Sequence, residues 1–322
     1  MAVQKTTFTF PSASKAGIDI HCFQWKDDTK DPIGIVHITH GLSENTEMFE
    51  EVAVYLAEHG YVCAGMDLLG HGATVGAGCA GITPSDTNTA IWKDIFTLYT
   101  LMRDKYPGLP YFSYSHSMGS TIMRAFVVKY RDKIDINACF LSADSSLPSL
   151  TFLLIPPAYV LGSLLSRWPS DLEKRRDKFV LKDYGDHPPI LIKLLMSWLS
   201  FDRQHVLDYI NSPYCGVNAD YRHVVAFVLK ASTTFVLADK RGWAKKIPDN
   251  TVMHHGCGQW DLPGFFGFGP KKLHKKMLAA GKKTELKLYA HAMHEVYAES
   301  AVKDQFNADM LKLFNDNNPL CK

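Results

Sequence analysis

Residues 111–122 read YFSYSHSMGSTI. An apolar and aromatic run leads into Ser115-His116-Ser117-Met118-Gly119, after which Ile122, Ala125, Phe126 and Tyr130 recur at helical spacing. A strand, a sharp turn with a serine at the bend, and a helix form the context of a G-x-S-x-G nucleophile elbow. Such a turn strains the serine backbone and presses strand against helix. The positions two before and two after the serine must therefore be almost free of side chain. Gly119 meets the second requirement. Ser115 stands at the first and adds only one small group, which such a turn tolerates. The plainer alternative is a serine that merely caps a helix.

A chain of 322 residues holds one large α/β domain or two small ones, with ample core. A net charge of +2 gives no electrostatic ground for a nucleic-acid partner. The opening MAVQKTTFTFPSASK lacks the apolar run of a secretory signal, so a cytoplasmic protein is expected. The seven cysteines, at 22, 63, 79, 139, 215, 257 and 321, contain no C-x-x-C. They are expected to be reduced thiols, several acting as small core hydrophobes, rather than disulfides or a zinc site.

Short β-rich runs alternate with helical patterns along most of the chain. Thr6–Phe10 and Gly17–Trp25 alternate polar and apolar residues, as antiparallel strands do. The runs Gly34–Thr39, Tyr61–Met66, Tyr111–Tyr114, Asn137–Leu141, Thr251–Cys257 and Thr284–Tyr289 are short and apolar, as strands buried on both faces are. Helices are expected at 46–59, 88–105, 118–131, 269–280 and 296–315. The fold class is therefore α/β, an eight-stranded, mostly parallel sheet covered on both faces.

One region breaks this rhythm. From Pro148 to about Lys230 the sequence gives no convincing strand, only helical and proline-punctuated segments. Two are strongly apolar: 150–168, interrupted by Pro156-Pro157, and 188–201. They predict a helical cap, 148–230, inserted after the sixth strand into a core formed by 1–147 and 231–322. Its apolar faces would meet the core, an acyl group or a lipid surface.

A serine nucleophile needs a base, a carboxylate to orient the base, and donors for the oxyanion. Elbow-type enzymes carry these in the order serine, acid, histidine, on loops after successive strands. Asp261 follows the run Thr251–Cys257, whereas its rivals Asp239 and Asp249 precede it. His294 follows the last strand; His291, three residues earlier, is its rival. After the third strand comes His40-Gly41-Leu42, and the backbone N–H groups of Leu42 and Met118 are the candidate oxyanion donors. That loop also reads simply as a turn into a helix begun by Asn45.

Two further patterns are set aside. Gly76, Gly78 and Gly81 match G-x-G-x-x-G, but the preceding strand ends near Met66 and no helix begins directly after Gly81. The match is a glycine-rich loop, and no organic cofactor or metal is implied. The lysine-rich helix 270–283 reads as a solvated face, with contact to anionic lipid the sharper alternative.

The combined motifs HGLSENTEMF, DLLGHG (67–72), YPGLPYFSYSHSMGS, GQWDLPGFFGFGPKKL and LKLYAHAMHEVYAES resemble the monoacylglycerol lipase and lysophospholipase branch of the α/β-hydrolases, also described as serine aminopeptidase-like. The resemblance spans essentially the whole chain. It implies catalytic residues Ser117, Asp261 and His294, oxyanion amides of Leu42 and Met118, and a cap over an acyl tunnel that touches membranes. The chain departs from the family pattern at Ser115, at Ser43 in the oxyanion loop, and at Leu262-Pro263 after the acid, and DLLGHG lacks the arginine usual before its glycine. None of these removes a catalytic group.

The expected function is hydrolysis of a lipid ester with an apolar acyl chain, monoacylglycerol or lysophospholipid. Two alternatives stand beside it. One is an aminopeptidase or amidase that anchors a substrate amine on Glu44 or Glu173. The other is a non-catalytic lipid-binding protein on the same fold.

Overall fold

The computed structural model describes residues 2–146, 190–216, 238 and 242–322. Eight strands form one sheet: β1 (Val3–Pro11), β2 (Asp19–Asp27), β3 (Gly34–Thr39), β4 (Tyr61–Met66), β5 (Tyr111–His116), β6 (Ala138–Ser142), β7 (Val252–Gly258) and β8 (Thr284–Tyr289). Their spatial order is β1-β2-β4-β3-β5-β6-β7-β8. β1 and β2 join antiparallel, as the polar–apolar alternation of their sequences requires, and β2 meets β4 antiparallel. From β4 through β8 every pairing is parallel.

The helices are α1 (Glu50–Glu58), α2 (Gly72–Val75), α3 (Thr87–Lys105), α4 (Met118–Tyr130), α5 (Ile190–Met196), α6 (Arg203–Asn211), α7 (Phe268–Ala279) and α8 (Lys303–Asp316). The sheet has a core on each face. Ile95 and Leu98 of α3, Phe126 of α4 and Leu273 of α7 pack with Ile35 and Val62 on one side. Val52 and Leu56 of α1 and Phe306 and Phe314 of α8 pack with Val36 and Cys63 on the other. Covering both faces is what makes the central strands buried along their whole length. Six of the seven cysteines are buried free thiols; Cys321 is exposed.

Two helices differ from the sequence expectation. The first is split into a 3-10 turn, Thr46–Phe49, and α1. Asp67 Oδ1 accepts the Thr46 N–H at 2.8 Å and ties this turn to the loop after β4. The last helix begins at Lys303 rather than 296. Glu299 is the reason: its Oε1 accepts the N–H groups of Met293 (2.9 Å) and Phe201 (3.1 Å). A side chain pulled back onto the loop before it holds that loop out of the helix.

Of the expected cap, 190–216 lies within the described residues and the stretch 150–168 outside them. Ile190, Leu191 and Leu194 of α5 are 83%, 62% and 69% exposed, so burial against the core does not account for them. The segment after α5 does dock. Glu295 N–H donates to Leu199 O and Gly216 N–H to Ser43 O, each at 2.9 Å, so this stretch touches the loops after both β8 and β3.

Candidate active site

A parallel sheet delivers the loops at the C-terminal ends of its strands to one edge. Here β3, β5, β7 and β8 bring His40–Asn45, Ser117, Asp261 and His294 together. Ser117 sits at φ 51° and ψ −118°, a backbone state costly for a side-chain-bearing residue. Its N–H donates to Ser142 O at 2.9 Å, fixing the bend against β6. A Cβ on Gly119 would lie 2.2 Å from Thr39 O and 2.5 Å from His40 O, so only glycine lets α4 run this close to β3. Ser115, by contrast, has room. It is fully buried, its Oγ lies 2.9 Å from Ser113 Oγ, and its carbonyl accepts the Ser120 hydroxyl at 2.7 Å.

The structure brings Ser117, His294 and Asp261 into one hydrogen-bonded chain. His294 Nε2 is 2.9 Å from Ser117 Oγ, and its Nδ1 is 2.8 Å from Asp261 Oδ1. An ionised carboxylate only accepts, which makes Nδ1 the protonated nitrogen and leaves Nε2 to accept the serine proton. Burial alone would depress the His294 pKa. The Asp261 carboxylate, with Glu44 and Glu295 behind it, overcomes burial and holds it above its ordinary value. The rivals are elsewhere: His291 is exposed, Asp249 pairs with Lys282 at the surface, and Asp239 lies outside the described residues. Asp144, after β6, is buried but committed to Arg124 and His255.

The loop after β3 is built to hold its shape. His40 Nδ1–H donates to Gly41 O at 2.8 Å, and His40 Nε2 accepts the Leu68 N–H at 3.0 Å. Ser43 takes φ 63°, and a Cβ on Gly41 would stand 3.0 Å from Ser117 Cβ, so the loop passes against the elbow. Among the described residues neither the Leu42 nor the Met118 N–H donates to a protein acceptor. Two free donors on either side of Ser117, one at the first residue of a helix, suit a developing oxyanion.

Behind these groups is a cluster that the sequence did not reveal. Glu44 Oε2 accepts the Gly41 N–H at 2.7 Å, while its Oε1 lies 3.3 Å from His116 Nε2. Glu295, next to His294, pairs with His205 of α6. Atoms of Glu44, His116 and Glu295 lie within 4.8 Å of one another, and all three residues are buried. Burial pushes Glu44 up to about 7 and His116 down to about 3. The three could meet a cation geometrically; Gly41 and His205 already occupy one oxygen of each carboxylate. The His116 ring also stands edge-on to His294, centroids 4.9 Å apart, and Trp198 does the same from the segment after α5, at 4.9 Å and 61°.

A family model, serine aminopeptidase S33, matches residues 30–250. Monoacylglycerol lipase of Mycolicibacterium smegmatis is 27% identical over 162 residues, 50% of this chain and 56% of that protein. Human monoglyceride lipase is 31% identical over 103 residues, 32% of each. These matches, with that to the monkeypox virus homologue, span from about a third to just over half of those relatives' own lengths. Among solved structures, a thermostable carboxyl esterase from Bacillus coagulans superposes with TM-score 0.75 at 22% identity, over 98% of this chain and 99% of that one. A soluble variant of monoglyceride lipase from Saccharomyces cerevisiae does so with TM-score 0.67 at 20% identity, over 97% of each. At such identities the likeness establishes the α/β-hydrolase fold. With the family match covering more than half of the chain, this protein belongs to the serine aminopeptidase S33 family and has the α/β-hydrolase fold.

Proposed function

We propose that the protein is a serine hydrolase that cleaves carboxylic esters with an apolar acyl chain, monoacylglycerol or lysophospholipid, through an acyl-enzyme. The observation that carries this reading is the continuous hydrogen-bonded chain from Asp261 through His294 to Ser117, with the serine on a strained turn. In the proposed mechanism His294 Nε2 takes the Ser117 proton as the oxygen attacks the ester carbonyl. Asp261 steadies the imidazolium, and the amides of Leu42 and Met118 receive the oxyanion. The protonated histidine then hands its proton to the leaving alcohol, and water hydrolyses the acyl-serine by the same route.

The family's descriptive name keeps peptide or amide hydrolysis as the second reading. It needs an acid facing the substrate amine, and Glu44 is instead buried against its own loop backbone. Glu173 lies outside the described residues. The relatives' names, monoacylglycerol and monoglyceride lipase, favour the ester reading.

Fluorophosphonate labelling followed by intact mass tests the proposal, alongside hydrolysis of 1-monoacylglycerols, lysophospholipids and aminoacyl-naphthylamides. The expected result is one adduct on wild type, none on Ser117→Ala or His294→Ala, and turnover of the glyceride or lysolipid. Turnover of the naphthylamides alone would move the function to amide hydrolysis. No adduct and no turnover would leave a binding protein on a hydrolase fold.

A further inference from the structure

The loop that carries Asp261 presents an unusual surface. Within 260–268 the acid and the glycines Gly264 and Gly267 are buried, and the large apolar residues all point outward. Trp260, Leu262, Phe265, Phe266 and Phe268 are 54%, 50%, 52%, 55% and 69% exposed. This is not a frayed segment. Phe266 N–H donates to Asp261 O at 2.8 Å, Phe265 N–H to Leu262 O at 2.9 Å, and Gly269 N–H to Gly264 O at 2.9 Å. Phe265 and Phe266 are held in left-handed backbone, φ 51° and 53°, which turns both rings out. Folded proteins seldom leave so many adjacent rings in water without a partner.

The helix that follows supplies the charge. In α7, Leu273 and Met277 face the core, whereas Phe268, Lys271, Lys275 and Leu278 recur on an exposed stripe. From Gln259 to Lys283 there are six lysines and one acid, Asp261, whose side chain is turned inward onto His294. An apolar edge bordered by a lysine face is the pattern that lies in the interface of a negatively charged bilayer: rings enter the headgroup region and ammonium groups meet the lipid phosphates. A second copy of the chain fits less well, because a two-fold contact through this patch would set the lysines of one copy against the same lysines of the other.

We infer that residues 260–268 and the lysine face of α7 form a docking surface for an anionic lipid bilayer. The surface is continuous with the triad edge, since Asp261 lies inside the loop and Trp260 N–H donates to Ala292 O at 2.9 Å beside His294. A bilayer seated there holds the site at the lipid surface, where acyl esters reside.

The test is co-sedimentation of the full chain with vesicles of ether-linked phosphatidylglycerol and phosphatidylcholine, or of ether-linked phosphatidylcholine alone. Neither lipid carries a carboxylic ester, so the outcome is independent of the proposed chemistry. The expected result is at least tenfold stronger partitioning onto the anionic vesicles, weakened by salt. Phe265→Asn/Phe266→Asn, which suits the left-handed backbone, and Lys271→Glu/Lys275→Glu should each reduce it at least tenfold. Both should leave hydrolysis of a soluble short-chain ester unchanged. Wild type that binds neither vesicle, or lysine-pair variants that bind as wild type does, would overturn the inference. So would a solution dimer that the phenylalanine pair dissolves, which would assign the surface to a second copy.

Discussion

The Glu44 carboxylate accepts the Gly41 backbone N–H at 2.7 Å, three residues back in its own loop, and its other oxygen faces His116 at 3.3 Å. One side chain thus spans the loop that offers the Leu42 amide and the residue before the candidate nucleophile. Losing this clamp frees the Leu42 N–H to wander. A misplaced oxyanion donor costs about as much as a missing one, about 10²-fold in turnover. Glu44→Ala should lower kcat on a soluble ester by about 100-fold with little change in KM. Glu44→Gln keeps an oxygen for Gly41 and should stay within about 5-fold of wild type. A folded Glu44→Ala enzyme with wild-type kcat would show that the clamp has no part in turnover.

The same carboxyl sets a pH dependence of stability. Burial raises Glu44 from its ordinary 4.5 to about 7 in the folded chain. Folding therefore favours the protonated acid: the contribution is complete below about pH 4.5 and is lost as pH rises through about 7. Its size is of the order of 3–4 kcal/mol, since each pKa unit corresponds to about 1.4 kcal/mol. His294 is also raised and drifts in the same direction, and His205 is held up by Glu295 despite its burial. The comparison with Glu44→Gln isolates the glutamate. Denaturant midpoints of wild type should fall relative to those of Glu44→Gln between pH 5 and pH 8. Parallel profiles would mean that Glu44 is already ionised at pH 5.

For the proposed base the sign runs the other way in activity. His294 must be neutral to take the Ser117 proton, and its folded pKa lies above the usual 6.5 because of Asp261, Glu44 and Glu295. At constant substrate, kcat/KM should rise with pH through an apparent pKa above about 6.5 and then level off. Asp261→Asn removes the carboxylate that fixes the tautomer, and kcat should drop by roughly 10³- to 10⁴-fold. A pH-independent rate across this range would remove His294 from the base role.

What the sequence revealed follows from how local each signal is. The central strands are short and apolar because both faces are buried, and the elbow announces itself within five residues, 115–119. Their place after the last two strands was enough to expect Asp261 and His294 at the same sheet edge as Ser117, where the structure puts them. The buried acid cluster left no local trace. Glu44, His116, His205 and Glu295 are scattered along the chain, and only the sheet topology and the docking of α6 bring them together. The late start of α8 was hidden for a related reason, since it depends on Glu299 reaching the amides of Met293 and Phe201. The exposed rings of 260–268 sat in plain view, but no residue spacing reports that a ring faces water.

The two flanks of the elbow should respond to substitution in opposite ways. Ser115 Oγ occupies real space beside Ser113 Oγ, so glycine there removes a buried hydroxyl pair and adds chain entropy to the unfolded state. Ser115→Gly should cost about 1 kcal/mol of stability and leave kcat within about 3-fold of wild type, because the Ser115 carbonyl that Ser120 binds is retained. Gly119 faces main chain instead: an added methyl would stand 2.2 Å from Thr39 O and 2.5 Å from His40 O, and neither can rotate away. Gly119→Ala must push α4 off β3, carrying the Met118 amide and the strained Ser117 with it. It should lose at least 100-fold in kcat or fail to fold, since a shift of about 1 Å at the reacting atoms is enough for the former. Thermal melts and ester hydrolysis on the two variants decide the matter. A Gly119→Ala enzyme as active and stable as Ser115→Gly would show that the elbow is looser than this packing requires.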